Sequence, residues 1–380
     1  APRTDLTDQL ARLLNDQPRQ TGTALVLIGA AGVHEDVDAE VLQFTGDGRV
    51  HLPGVGLTLI AAGLTPQETA GCAAIFAQAD EPDRAYPEHP EPAEGWRAHT
   101  NQAGQLLPEH TVPRAETPEE PATNVLPADD EVYLDAGAVT PDDLALLAPH
   151  VPEHVREQVE HDDPTLDDDL KTWFDPHCDL PKLMLLGPLT VRVAATGAPI
   201  AAADRKPYFS ELLAFLATRP HGATTAEVAD ALRIPTGRVR KDILTLRTWL
   251  GVNPRTGRPH LPDSRQTQAA RLRGQAAYQV EDLLVDADLF RRLRARGEAR
   301  GHAGLDDLKR ALTLVKGTPF GQLRRDGGVW LSEGQRLDQI LQCSIVDVAH
   351  LVTTASLAHG DPAAAQQAAE LAIRVAPAEE

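Results

Sequence analysis

An α+β chain built from more than one domain is what the sequence predicts, on three observations. Short runs such as Leu183 to Val193 alternate apolar and polar residues with the period of strands. Val239, Ile243, Leu246 and Leu250 recur at i, i+4, i+7 and i+11, the stripe of an amphipathic helix. Charge is spread unevenly along 380 residues of formal net charge −20: 9 Lys+Arg against 35 Asp+Glu in residues 1–180, 15 against 6 in 181–275, and 12 against 15 thereafter. A basic domain between acidic neighbours is the arrangement expected where one part of a chain meets a polyanion.

Residues 1–80 read as a small α/β unit. Thr23 to Gly32 is an apolar run ended by glycine, and Glu40 to Leu64 alternates, with Asp47-Gly48 as a hairpin signal. Thr65 and Glu68 have capping-box spacing with Pro66 at the first helical position, so a helix should run to about Gln78. The Gly29-Ala30-Ala31-Gly32 turn has neither a dinucleotide fingerprint nor a P-loop lysine, which leaves a plain strand-to-helix turn.

Prolines and acids dominate residues 81–128, a composition that buries too little apolar surface to order itself and so reads as a linker. Residues 129–180 read as an acidic connector: a strand at Glu131 to Ala136, one or two short helices after Thr140, then a solvated acidic run. His161, Asp162, Asp163, Asp175, His177 and Cys178 crowd that run without a recognised metal-ligand spacing, so a loop is the simpler reading. Cys72, Cys178 and Cys343 are odd in number and far apart, as free thiols are. No cofactor is implied. With no signal-like start and no run of eighteen apolar residues, a cytoplasmic chain without membrane contact is expected.

In residues 181–283, a strand, a turn and a second strand are expected over Leu183 to Val193, and a third short strand at Ala198 to Ile200. Phe209, Leu212, Leu213 and Leu216 mark a first helix. Thr224, with Glu227 three residues on, caps a second that buries Val228 and Leu232. The third is Thr236 to Gly251, whose apolar stripe leaves Arg238, Lys241, Asp242, Thr245 and Thr248 on the other side. A hairpin over Ala269 to Asp282 should follow. Strands, three helices and a hairpin, in that order, make a winged helix-turn-helix with an N-terminal β-sheet.

Three fragments carry a resemblance: Leu186-Gly187-Pro188-Leu189, Leu246-Arg247-Thr248-Trp249-Leu250-Gly251, and Arg273-Gly274 with Tyr278 and Val280. In that order they resemble the OmpR/PhoB-type winged helix of the SARP (Streptomyces antibiotic regulatory protein) family. Residues 284–380, with Val285 to Leu293, Gly304 to Leu323 and the long apolar stretch after Trp330, resemble the BTAD (bacterial transcriptional activation domain) that accompanies it. The resemblance implies an all-α tetratricopeptide-like array, in which paired helices stack to bury one core. Its last helix, about Pro362 to Val375, then lacks a following partner, as in a fragment of a large actinobacterial multidomain protein.

What the resemblance implies is a transcription regulator that binds double-stranded DNA. Its third helix enters the major groove through Thr236, Arg238, Arg240, Lys241, Thr245 and Arg247, while Arg255, Arg258, Arg265, Arg271 and Arg273 neutralise phosphates around the wing. The helical array would contact a protein partner or form a homodimer. Leu244-Thr245 departs from the Ser-Arg usual there, and Asp242 would face a phosphate or a cytosine amino group, which leaves the alternative of a protein-interaction scaffold that no longer binds DNA, although the positive charge of residues 181–275 exceeds what packing alone requires. An enzyme is not expected, since no P-loop, nucleophile elbow or paired nucleophile and base is present.

Overall fold

The computed structural model describes residues 43–44, 49–52, 57–60, 95–111, 150–193, 196–200, 203–325 and 327–377. The fold is mixed α+β, and the chain divides into two units, Ala1–Pro90 and Glu91–Glu380.

In the first unit, β1 (Gln43–Phe44), β2 (Arg49–Leu52) and β3 (Leu57–Ile60) form an antiparallel sheet in that order. Phe44 pairs with Val50 and Val50 with Leu59, within the stretch Glu40 to Leu64 expected to form strands. The strand expected at Thr23 to Gly32, the helix after Thr65 and the strand at Glu131 to Ala136 lie outside the described residues, as do Cys72 and residues 81–94 and 112–128 of the expected linker. Between those last two stretches the chain is structured instead: Gly95–His99 and Pro108–His110 are short 3-10 helices. Leu106, 4 % exposed, packs with Val155 and Ala295 while its N–H donates to Glu298 at 3.0 Å, so one buried leucine and a buried acceptor hold a segment whose composition suggested none.

Two acidic helices follow in the second unit, α1 (Glu153–His161), within the stretch expected to be helical after Thr140, and α2 (Leu166–Phe174), so the run expected as a solvated loop is partly helical. Leu166 and Leu170, four apart, are fully buried and hold α2 down, and Asp167, Asp168 and Asp169 in its first turn complement the positive end of the helix dipole. Among the described residues no group of three His, Cys, Asp or Glu side chains could hold a metal ion.

Next come β4 (Lys182–Met184) and β5 (Thr190–Arg192), antiparallel, then α3 (Lys206–Ala217), α4 (Thr225–Leu232), α5 (Thr236–Leu250), α6 (Gln268–Arg273) and β6 (Leu284–Val285). The third strand of this sheet is β6, parallel to β4 with Leu183 opposite Val285; Ala198 to Ile200, expected as a strand, instead lie against the end of α5, the Ala198 N–H donating to Thr248 O at 3.0 Å. Residue 284 therefore sits inside a sheet.

Helices complete the unit: α7 (Asp286–Arg300), α8 (Leu305–Leu314), α9 (Val329–Ser332), α10 (Leu337–Ala358) and α11 (Pro362–Val375). The α7–α8 corner needs glycine twice over, because a Cβ on Gly304 would fall 2.0 Å from the carbonyl oxygen of Gly297. Long α10 packs on α8 and α11, burying Leu341, Ile345, Val348 and Leu351.

These helices share one core with the sheet and with α3 to α5, running from Leu183 and Phe209 through Phe290 and Leu308 to Leu371. The joint is polar as well. Asp286, at the start of α7, accepts the backbone N–H groups of Leu185 (2.7 Å), Leu186 (3.1 Å) and Ala287 (2.7 Å). Burial pushes its carboxyl up to about 7 against the pull of those three donors. Glu211 of α3, equally buried, accepts from Arg324, from Gly328 N at 2.7 Å and from Trp330 Nε1 at 3.3 Å.

Along α7 runs a row of arginines that the acidic helices cover. Arg292 makes a fork with Asp163 (2.7 Å) and reaches Asp169 (2.8 Å); Arg296 meets Asp307 (2.7 Å) and Asp167 (3.0 Å); Arg300 meets Glu160 (2.7 Å). Arg294, 2 % exposed, bonds Glu298 at 2.8 Å and the Ser344 hydroxyl at 2.7 Å. The negative charge of residues 153–175 is thus matched in part by α7.

Candidate nucleic-acid interface

Helix α4 starts on a complete capping box: Thr224 Oγ1 accepts from Glu227 N at 3.2 Å, and Glu227 Oε2 accepts from Thr224 N at 2.6 Å. Its end turns at Arg233, whose φ of 52° is left-handed, and α5 begins after Ile234 and Pro235. Two helices joined by so short a turn leave the second with one face on the core and one in solvent.

The inner face of α5 is the one the sequence predicts, with Val239, Ile243, Leu246 and Leu250 buried. It is also wider. Trp249 and Asp242 are buried too, so Asp242, expected on the solvent side, is only 2 % exposed. The Tyr208 hydroxyl of α3 donates to it at 2.7 Å, Arg238 Nε at 2.9 Å and Arg205 at 3.1 Å. Burial, together with that bond to Asp242, holds the Tyr208 phenol well above its ordinary value, so it stays a donor. Two cations and a hydroxyl compensate the carboxylate, and the repulsion it would offer to a phosphate is turned inward.

Two arginines expected at DNA are committed elsewhere. Arg247 donates to Leu261 O at 2.6 Å and Pro262 O at 2.9 Å, tying α5 to the segment after it. Arg273 forks onto Glu227 (2.5 and 3.0 Å) and bonds Gly222 O at 3.1 Å. Burial would raise the Glu227 carboxyl, but the Arg273 fork and the Thr224 bonds outweigh it and hold it below its ordinary value. Arg247 thus fastens the end of α5 to the segment that follows it, and Arg273 fastens α6 to the start of α4.

The hairpin expected over Ala269 to Asp282 is replaced in its first half by a helix. Thr267 accepts from Ala270 N at 3.0 Å as the cap of α6, and Gly274 closes it with φ +64°. Only the second half is strand-like: Tyr278 exchanges backbone bonds with Ala223 at 2.9 and 2.7 Å, just ahead of α4. The excursion is closed at its base by Ala277 N donating to Ser264 O at 2.9 Å, and it carries Arg265 and Arg271 exposed. A smaller turn, closed by the Val252–Pro259 bridge, carries Arg255 and Arg258, also exposed; Arg255 borders a polar cavity of about 270 Å³ beside Asp282 and Asp288.

What faces outward on α5 is Thr236, Gly237, Arg238, Arg240, Lys241, Leu244 and Thr248, with Thr245 half-buried. Arg238 is half-exposed and shared with Asp242. Arg240 and Lys241 make no ion pair among the described residues. Leu244 is 57 % exposed, and a Cβ on Gly237 would meet nothing within 4 Å. Neither of the last two is marked by a charge pattern, but a leucine off the apolar stripe and a glycine inside a helix were the available signals. No family model, curated protein or solved structure matches the chain.

Proposed function

We propose that the chain is a DNA-binding transcription regulator, in which β4, β5 and β6 with α3 to α6 form an OmpR/PhoB-type winged helix and α5 enters the major groove of double-stranded DNA. Helices α7 to α11 are then the tetratricopeptide-like BTAD array that meets a protein partner or a second copy. The observation that carries this reading is the outer face of α5, where Arg240 and Lys241, with no ion-pair partner among the described residues, stand beside Leu244 and Thr248 while Asp242 is turned into the protein. A cation that serves the fold finds a carboxylate or a carbonyl, as Arg247 and Arg273 do. Cations left in solvent on a positioned helix suit phosphate oxygens and base edges. Arg258, Arg265 and Arg271 would add phosphate contacts from the turns that follow.

The test is a titration of the full chain with duplex DNA over a range of salt. Binding that weakens steeply with salt, with a slope reduced by about two units in the Arg240→Ala, Lys241→Ala variant, supports the reading. A slope near zero would replace it with the protein-scaffold alternative, which draws on the loss of Arg247 and Arg273 from the expected contact set.

A further inference from the structure

Resting on that reading, we infer that Leu244 reads the C5-methyl group of a thymine in the major groove, making it a specificity-determining residue. The inference begins with what the outer face of α5 lacks. Thr245 donates its hydroxyl proton back to Lys241 O at 3.2 Å and Thr248 its own to Leu244 O at 2.9 Å, so neither offers a donor outward. Asn and Gln, the usual partners of adenine, are absent from Thr236–Leu250. The middle of the face is therefore apolar: Leu244 at 57 % exposure, with Thr248 one turn on.

Exposed leucine costs the free protein something, and among the described residues Leu244 stays 57 % exposed. Its surroundings choose between ligands. Arg240 and Lys241 lie four and three residues before it on the same face, unpaired among the described residues. Charged residues are depleted from the centres of protein interfaces, whereas a single apolar side chain rimmed by free cations matches a groove edged by phosphates. Gly237, one turn before the cations, leaves open space where a side chain would hold a neighbouring backbone off. In the major groove the one apolar feature on a base edge is the thymine methyl.

The experiment uses the full chain. A duplex is first selected from a random pool, and each thymine in it is then replaced singly by deoxyuridine, which pairs alike but lacks the methyl. The expected result is that at least one replacement weakens binding about fourfold, the value of one buried methyl-sized group. Leu244→Ser, exposed enough to leave the fold intact by circular dichroism, should abolish that difference and spare the salt slope. Equal affinity for every deoxyuridine duplex, or the same discrimination in Leu244→Ser, overturns the inference while the DNA-binding reading stands. Recovery of no salt-sensitive duplex from the pool overturns both.

Discussion

Helices α5 and α7 are both fifteen residues long and both rich in arginine, yet they treat the cations in opposite ways. On α7, Arg292, Arg294 and Arg296 are buried and each is held by carboxylates from the turn before α2, from α2, α8, α10 or its own helix. On α5, Arg240 and Lys241 stand in solvent without a partner among the described residues, and the one acid of the helix, Asp242, is buried. Basic residues in a sequence thus carry no fixed meaning. The partner decides, and it comes from elsewhere in the chain: Asp163 is 129 residues from Arg292. The acidic region is then best understood, in its described part, as the counter-charge of α7 rather than as a free polyanion.

The comparison breaks most readily at Arg296. Arg296→Ala removes a two-bond fork from buried Asp307 and leaves it only Arg300 at 3.1 Å, which should cost about 2–3 kcal/mol, the value of hydrogen bonds to a buried charged group. Arg240→Ala should stay within about 0.5 kcal/mol of the parent. Urea denaturation followed by circular dichroism measures both. Equal small effects would mean that the α7 pairs are solvated and the contrast between the helices false. The shared core also predicts one unfolding transition for residues 181–377 rather than separate ones on either side of residue 284.

Asp286 offers a sharper case, a buried acid met by N–H groups instead of cations. Its folded pKa of about 7 lies above the usual carboxylate value of about 4, so the folded state holds the proton more tightly than the unfolded chain. Its contribution to stability is complete below pH 4, declines as pH rises toward 7, and is flat beyond. Compared with Asp286→Asn at each pH, the parent should therefore lose up to a few kcal/mol between pH 4 and pH 7. A constant difference across that window would show that the three backbone donors dominate burial.

Much of α3 to α5 was legible because helix periodicity and capping are local: Val239, Ile243, Leu246 and Leu250 are buried where the spacing puts them, and Thr224 with Glu227 makes its box. Asp242 was not, since it lies on the flank of the stripe and its burial depends on Tyr208 and Arg205 of another helix. The roles of Arg247 and Arg273 were hidden for the same reason: what they bond is Leu261 and Pro262, or Glu227, and arginine spacing says nothing of either. For α6 the signal was present and local, a threonine cap at Thr267 and a glycine stop at Gly274, but alternation nearby suggested strands. The parallel β4–β6 pair joins residues about a hundred apart, beyond the reach of any local pattern.

A smaller effect separates the free cations from the shared one. Arg240→Ala with Lys241→Ala should weaken DNA association roughly tenfold at physiological salt, if each phosphate contact contributes somewhat under 1 kcal/mol there. Arg238→Ala should weaken it less, since that guanidinium already serves Asp242, which keeps Arg205 and Tyr208. Fluorescence anisotropy with the selected duplex compares them. An Arg238 effect as large as that of the pair would place the groove contact nearer the start of α5.

The smallest expected change is the most discriminating, because it moves stability and binding in opposite directions. Gly237 is inside α5, has no left-handed φ, and a Cβ there would touch nothing, so the fold itself has no use for glycine at this position. Gly237→Ala should stabilise the protein by about 0.5–1 kcal/mol through helix propensity and a less flexible unfolded chain. If the start of α5 closely approaches a DNA backbone, the same methyl group intrudes there and duplex affinity falls although the fold is firmer. Urea midpoints and anisotropy on one preparation give both numbers. A variant that gains stability and keeps its full affinity would remove Gly237 from the interface and shift the contact toward Arg240, Lys241 and Leu244; one that loses stability would mean that α5 does not begin where the turn after Arg233 places it.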